Sequence, residues 1–398
     1  LDLDDTPEEA SYRAQVRSII KEHAAEFVDA AVSPSTHTLE YQATQRALYD
    51  LGLVGVSWPT EAGGRAGSRL EQIIVDQELE RAGIPRHINW IGIGMCGPAL
   101  IVHGSPAQKE RYLRPLLRAD ELWCQLFSEP AAGSDLAGVT TRAEKVEGGW
   151  LISGQKVWTT GAQWCDFGLL LARTDASLPK HKGLSMFIVD MHADGVEVRP
   201  LRDMTGIAHF NEVFFDDVHV PDTGIVGAVG DGWAVALTML MNERFTVAGD
   251  GTTYGAGPDA LVRQLASKIT DFSETQQSLL RDEFAACWIE ALACRMTGNR
   301  LVTSIAQGGR PGPEGSVAKL SAAKLLRRSA NLGLALEGDT SMFETDGVAT
   351  RPWAYAATVA PGIALAGGTA EIMKNILGER VLGLPTEASP AGGPKSGR

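Results

Sequence analysis

Trp123-Cys-Gln-Leu-Phe-Ser-Glu-Pro-Ala-Ala-Gly-Ser-Asp135 begins with a strand-like run, Trp123 to Phe127, and breaks at Ser128-Glu129-Pro130 into a loop of small residues. Such a loop exposes backbone N–H groups, and with the Ser134 hydroxyl they can meet an anion such as a pyrophosphate. Further on, Lys156-Val-Trp-Thr-Thr-Gly161 adds an indole at Trp158 and a hydroxyl at Thr160. Neither stretch is distinctive alone, because an ordinary β unit with a buried tryptophan and a Gly-Ser turn has the same features.

The flanks of this region follow a different period. Thr6-Pro-Glu-Glu9 is a capping box with proline at the first helical position, followed by Tyr12, Val16, Ile19, Ile20, His23 and Phe27 at helical intervals. Ser68-Arg-Leu-Glu71 and Ser105-Pro-Ala-Gln108 repeat the signal. Between about Leu122 and Pro221 the pattern changes to short strand-like runs: Trp150 to Ser153, Phe167 to Ala172, Leu184 to Val189. After Gly232 the helical period returns and lasts to about Leu382, interrupted by the loop-like Gln307-Gly-Gly-Arg-Pro-Gly-Pro-Glu-Gly315. These patterns predict an N-terminal helical domain over 1–121, a small, mainly antiparallel β domain over 122–228, a C-terminal helical domain over 229–385 and a disordered tail over 386–398.

Composition narrows the function. The 398 residues suffice for two or three layered units, and 44% hydrophobic with 21% charged residues is ordinary for a globular enzyme. A formal charge of −13 argues against nucleic acid, whose binding needs a dense set of Lys and Arg. No apolar run approaches the length of a membrane span, and Leu1-Asp-Leu-Asp-Asp5 is too acidic for a signal peptide, so the expected location is cytoplasmic. The five cysteines are scattered without C-x-x-C spacing, which predicts reduced thiols; Cys287 and Cys294, seven apart, suit a packing role on one helical face. The eight histidines also lack ligand spacing, and no metal site is expected. Gly92-Ile-Gly-Met-Cys-Gly97 fits the dinucleotide pattern G-x-G-x-x-G, yet no convincing strand precedes it and Pro98 follows it directly. Close glycine packing in a helical region accounts for it better.

Taken together, the two opening stretches resemble the acyl-CoA dehydrogenase family. Trp58-Pro-Thr-Glu-Ala-Gly-Gly64, Val213-Phe-Phe-Asp-Asp-Val-His-Val-Pro221, Val226-Gly-Ala-Val-Gly-Asp-Gly-Trp233 and Gly367-Gly-Thr-Ala-Glu-Ile372 extend the resemblance, in order, along nearly the whole chain. It implies a mainly α fold with a central β domain and a C-terminal four-helix bundle, FAD as cofactor, and the dehydrogenation chemistry of β-oxidation. Gln125, Phe127 and Ser128 occupy positions that contact the isoalloxazine in the family. Ser134 matches a contact to the pyrophosphate and the substrate, and Trp158 and Thr160 match contacts to the ring and its N5 edge. Donors near the ring oxygens and N5, with apolar walls, are what a reduced flavin anion requires. Thr369 and Glu371 would complete the site, although the family usually has glutamine at the second position. The Arg-x-x-Phe-Gly segment that often receives the flavin pyrophosphate from a neighbouring subunit is missing, and no basic patch for the coenzyme A nucleotide stands out.

Proton removal beside a thioester needs a carboxylate in a dry pocket. Most family members carry it in Tyr-Glu-Gly-Thr, but the matching residues are Ala366-Gly367-Gly368-Thr369. Met241-Asn242-Glu243-Arg244-Phe245 resembles instead the Glu-Arg pair of the isovaleryl-CoA and long-chain branches, which place their base at that point of the chain. Taken alone, Glu243 is one of 49 acidic residues, and a salt bridge to Arg244 would account for it. With glycine at 367, the resemblance implies Glu243 as base and the Gly367 N–H as a donor to the thioester oxygen. Ala366 and Gly368, with Ser134 and Arg244, are the expected substrate-side residues. The resemblance also implies an electron-transferring flavoprotein as acceptor and a homo-oligomer, dimer or tetramer, or a mixed tetramer with a related subunit, with apolar helices between Leu279 and Leu334 suiting such an interface. Two other readings stay open: an oxygen-using oxidase or monooxygenase of the same fold, and a non-catalytic subunit.

Overall fold

The computed structural model describes residues 5–28, 38–85, 87–248, 258–306, 314–338 and 352–386. Helix α1 (Pro7–Glu22) opens where the capping box predicts it: the Thr6 hydroxyl accepts from the Glu9 N–H at 3.2 Å, and the Glu9 carboxylate accepts from the Thr6 N–H at 2.7 Å. The same reciprocal caps, from Ser68 and Ser105, open α3 (Arg69–Arg81) and α5 (Pro106–Arg118). Helix α1 ends earlier than its apolar period implies, because His23 forms the C-cap and Ala24–Glu26 tightens into a 3₁₀ turn before Phe27. Helices α2 (Thr38–Asp50) and α4 (Gly97–His103) complete the first helical layer.

The glycine-rich Gly92–Cys96 segment is a π-turn running into α4, and among the described residues no strand leads into it. Its glycines serve close packing. A Cβ on Gly92 would lie 2.3 Å from Asn89 Oδ1, and one on Gly97 would lie 2.0 Å from Trp58 Cη2.

Eight strands form one sheet: β1 (Trp123–Leu126), β2 (Arg142–Val146), β3 (Gly149–Thr160), β4 (Phe167–Arg173), β5 (Leu184–Asp190), β6 (Val196–Leu201), β7 (Phe210–Pro221) and β8 (Ile225–Val226). Their order is β6-β7-β3-β2-β4-β5-β8, with β1 added beside β4. The sheet is mainly antiparallel, but β1 runs parallel to β4, Trp123 opposite Phe167. Alternate residues of the central strands serve two cores. Trp123, Phe127, Leu169, Leu171 and Ile188 pack with the N-terminal helices, while Cys124, Leu126, Leu170, Phe187 and Val189 pack with Trp150, Ile152, Val213 and Phe215. Burial on both faces makes β4 read as a continuous apolar run.

Asn89 ties the helical layer to the start of β1. Its Oδ1 accepts from the Trp123 N–H at 2.9 Å, and its Nδ2 donates to Leu116 and Glu121 carbonyls at 2.8 and 3.0 Å. Helix α6 (Gly232–Ala248) follows the sheet and sends Val235, Ala236 and Met239 into the core shared with the N-terminal helices.

The chain forms two compact units, residues 1–243 and 244–398, a division that falls within α6. The second unit holds α7 (Pro258–Lys268), α8 (Glu274–Ala306), α9 (Glu314–Glu337), α10 (Pro352–Leu365) and α11 (Ala370–Arg380). Helix α9 packs against the other four around Cys287, Leu326, Ala330, Trp353 and Ala356. Gly333 lets the Trp353 ring lie on the α9 backbone, since a Cβ there would meet the ring at 2.0 Å. Of the run expected as a loop, Glu314 and Gly315 are helical and 307–313 lie outside the described residues, as do 387–398 of the expected tail. Among the described residues, no single helix is long and apolar enough to cross a membrane.

Candidate active site

In the first unit, β1 ends at Leu126 and the chain turns back on itself at once. Glu129 and Ala132 exchange backbone hydrogen bonds of 3.0 Å each, leaving Pro130, Ala131, Gly133, Ser134 and Asp135 exposed. An added Cβ at Gly133 meets nothing within 4 Å, so the loop presents bare backbone to solvent. The side chain of Ser134 is exposed beside Asp135, whose carboxylate accepts from Lys180 Nζ at 2.5 Å.

The other wall comes from β3. Its register against β7 shifts between Lys156 and Thr159, a bulge that puts Trp158 at φ +60°, a left-handed backbone that residues with a Cβ rarely adopt. The indole is 56% exposed and edge-on to Phe210, ring centroids 5.8 Å apart at 84°. Strain of this kind persists where the surroundings over-determine it, commonly at ligand clamps. Val157 N–H donates to Ser128 C=O at 2.8 Å, joining the two walls. Thr160 is half-buried at the end of β3, and Ser128 is half-buried at the turn.

Phe127 is buried on the Trp123 face, and Gln125 shares that face by alternation. Among the described residues, the buried Gln125 Nε2 meets no hydrogen-bond partner, nor does Thr159 Oγ1. An unmet buried amide costs about 1–3 kcal/mol. A planar, acceptor-rich ring suits this set: an orphaned donor, an exposed indole and a bare-backbone loop for an anionic tail. The residues present therefore fit a flavin nucleotide.

Beneath the cradle lies a pair that the sequence reading passed over. Lys156, fully buried, donates to Glu129 Oε1 at 2.8 Å, Phe127 C=O at 3.0 Å and Leu171 C=O at 2.8 Å. Burial pushes the Lys156 ammonium down to about 8, against the opposing pull of Glu129. Burial alone would raise the Glu129 carboxyl, but Lys156 and hydrogen bonds from the Thr140–Thr141 segment outweigh it and hold it at about 2. A signal was present: Lys156 shares strand parity with the buried Trp150 and Ile152, where a lysine is out of place without a counter-charge.

Glu243 is half-buried in α6. The helix before it is anchored by Met239 in the core and by a 2.8 Å hydrogen bond between Thr238 Oγ1 and His103 Nε2. Asn242 Nδ2 donates to Thr238 C=O at 2.8 Å. The Arg244 side chain lies outside the described ones.

In the second unit, α10 gives way to Ala366, Gly367 and Gly368. Both glycines are left-handed, φ +65° and +100°, so a glutamate at 367 would sit on strained backbone. Lys319, buried in α9, donates to Ala364 C=O at 2.8 Å and Gly368 C=O at 2.5 Å and pins this turn. Thr369 caps α11, its Oγ1 accepting from Ile372 N–H at 3.3 Å. Glu371 is exposed, its carboxyl lowered by its own N–H and by the Thr369 hydroxyl. Both groups thus have local work as a helix cap.

The acyl-CoA dehydrogenase N-terminal domain matches residues 6–120, the middle domain 124–218 and the C-terminal domain 230–382. The chain belongs to the acyl-CoA dehydrogenase family. Among its acyl-CoA dehydrogenase relatives, FadE34 of Mycobacterium tuberculosis is 38% identical over 94% of this chain and 49% of its own length. IpdE1 of the same organism is 36% identical over 95% of this chain and 98% of its own length. The chain thus spans about half of the first and nearly all of the second. A solved structure described as the Tcur3481-Tcur3483 steroid ACAD shares the acyl-CoA dehydrogenase fold with TM-score 0.82 and 23% identity, covering 97% of this chain and 100% of that one. Acyl-CoA dehydrogenases are flavoproteins, generally FAD-binding.

Proposed function

We propose that this chain catalyses FAD-dependent α,β-dehydrogenation of an acyl-CoA thioester to the trans-2-enoyl-CoA. The observation that carries the reading is the cradle: the unmet Gln125 amide on the Phe127 face of β1, and the exposed Trp158 indole held at positive φ on β3, which bonds back to Ser128 through Val157. Gln125, Phe127, Ser128, Trp158 and Thr160 would hold the ring system and Ser134 the pyrophosphate; the family resemblance adds Thr369 and Glu371 as flavin contacts. Bound FAD supplies the acceptor that takes the β-hydrogen with its electron pair. Glu243 removes the α-proton. The Gly367 N–H, kept by the glycine backbone, donates to the thioester oxygen and stabilises the charge that develops there.

Ala366 and Gly367 stand where most of the family carries tyrosine and glutamate, which removes two large side chains beside the reacting carbons. Unfilled volume is costly, so a branched or ring-bearing acyl group suits the pocket better than a thin straight chain. The description of the structural relative as a steroid ACAD agrees with that direction. Electrons pass to an electron-transferring flavoprotein, and the working unit is an oligomer. A mixed assembly with a related, catalytic subunit is the second reading; it draws on glycine at 367, glutamate at 371 and the missing Arg-x-x-Phe-Gly segment.

Anaerobic titration of the purified chain tests this. It is expected to carry FAD and to bleach with acyl-CoA, faster with isovaleryl- or steroid-propanoyl-CoA than with octanoyl-CoA. Absence of bleaching with every thioester refutes the enzyme reading for the chain by itself, and a clear preference for octanoyl-CoA refutes the widened pocket. Reoxidation by an electron-accepting dye much faster than by oxygen separates a dehydrogenase from an oxidase.

A further inference from the structure

We propose that the buried Lys156–Glu129 pair is a positioning device that clasps both walls of the flavin cradle and thereby sets how tightly, and in what environment, the flavin is held. The inference rests on the flavin reading above.

The pair is completely satisfied. The three ammonium donors of Lys156 meet three acceptors, on Glu129, Phe127 and Leu171. The Glu129 carboxylate, 6% exposed, also accepts from Thr141 N–H at 2.9 Å, Thr140 N–H at 2.6 Å and Thr140 Oγ1 at 2.8 Å. Net stability is a poor reason for such a pair, because desolvating two charges consumes most of their attraction, and an apolar pair of equal volume does as well or better. Geometry is the better reason. Glu129 stands at the entry of the Ser134 loop and Thr140–Thr141 at its exit, so the carboxylate closes the loop at its base. Lys156 joins that closure to the end of β1 through Phe127, and to β4 through Leu171. Two residues further along β3 stands Trp158, and between them Val157 bonds back to Ser128. One buried contact therefore registers Phe127, Ser128, the anion loop and the strained indole against each other. A hydrophobic pair would fill the space without fixing any of these directions.

The test uses the double variant Glu129→Gln/Lys156→Met, which removes both charges together, alongside Thr140→Val, which removes one donor to Glu129 at an exposed position. Each is prepared as apoprotein, checked for its fold by circular dichroism, and titrated with FAD while the flavin visible spectrum is recorded. The double variant is expected to fold, to bind FAD at least about tenfold more weakly, and to shift the flavin bands toward those of free FAD. Thr140→Val is expected to weaken binding about threefold. A folded double variant with wild-type affinity and spectrum overturns the proposal. Should the double variant not fold, an unchanged affinity and spectrum in Thr140→Val overturns it, and weakened binding supports it. A wild-type chain that binds no FAD refutes the flavin reading itself, a distinct failure.

Discussion

Replacing Glu129 with glutamine is expected to flatten the acid side of the stability profile. The carboxyl sits at about 2 in the folded chain against an ordinary value of 4.5, and only 5% of its side chain is exposed. A lowered folded value means that the stabilisation is fully present above about pH 4.5 and is lost as the pH falls through about 2. Over the whole window the shift corresponds to about 3 kcal/mol, and between pH 5 and pH 3 to about 2 kcal/mol. The assay is urea denaturation at both pH values, followed by tryptophan fluorescence, since Trp123 and Trp150 are buried in the unit that holds the pair. At pH 5 the variant starts less stable by about 3–5 kcal/mol, because Lys156 is left buried without its counter-charge. The quantity that matters is the further loss on going to pH 3, which should be about 2 kcal/mol larger in wild type than in the variant. Equal losses would refute the claim that the pair is ionised and coupled in the folded chain.

Lys156 gives the same sign of slope in a higher pH window. Its value is pushed from 10.5 down to about 8, so between those values the unfolded chain binds more protons and this group's contribution to stability rises with pH. Lys156→Met removes that rise, measured by the same denaturation series at pH 8 and pH 10. Gly97→Ala gains about 1 kcal/mol in helix propensity. It loses about 1–3 kcal/mol to overpacking against the Trp58 ring at 2.0 Å, so a lower Tm is expected and a higher one contradicts the packing. Asn89→Ala strands the Trp123 N–H and two carbonyls in the interior and should cost about 2–4 kcal/mol; a loss below about 1 kcal/mol would show that β1 is held otherwise.

What the sequence disclosed was mostly local. The boxes at Thr6, Ser68 and Ser105 are four-residue signals, and each opens a helix in the structure. Strands β3, β4 and β5 appeared as runs bounded by turn residues, and ordered motifs carried the family. Longer-range features stayed hidden for a physical reason. Alternation along β1 says nothing about its partner, so its parallel pairing with β4 was not legible. The left-handed backbone at Trp158 follows from a bulge against β7, which depends on register rather than on the letters around it. Lys156 and Glu129 meet because two strands and a loop return to one point, and each alone reads as one charge among many. Thr369 was legible as part of a family motif, but its hydroxyl is engaged in capping α11, a role read only with the helix in place.

The central claim is that Glu243 is the base and that the glycine turn at 366–368 has given up that role. Rapid mixing of the Glu243→Gln variant with its best acyl-CoA under nitrogen, followed by flavin absorbance, tests it most directly. The variant is expected to fold and to hold FAD like wild type, with flavin reduction slowed at least about a thousandfold, since the group removed acts in the step observed. Reduction at a rate near that of wild type would contradict the assignment.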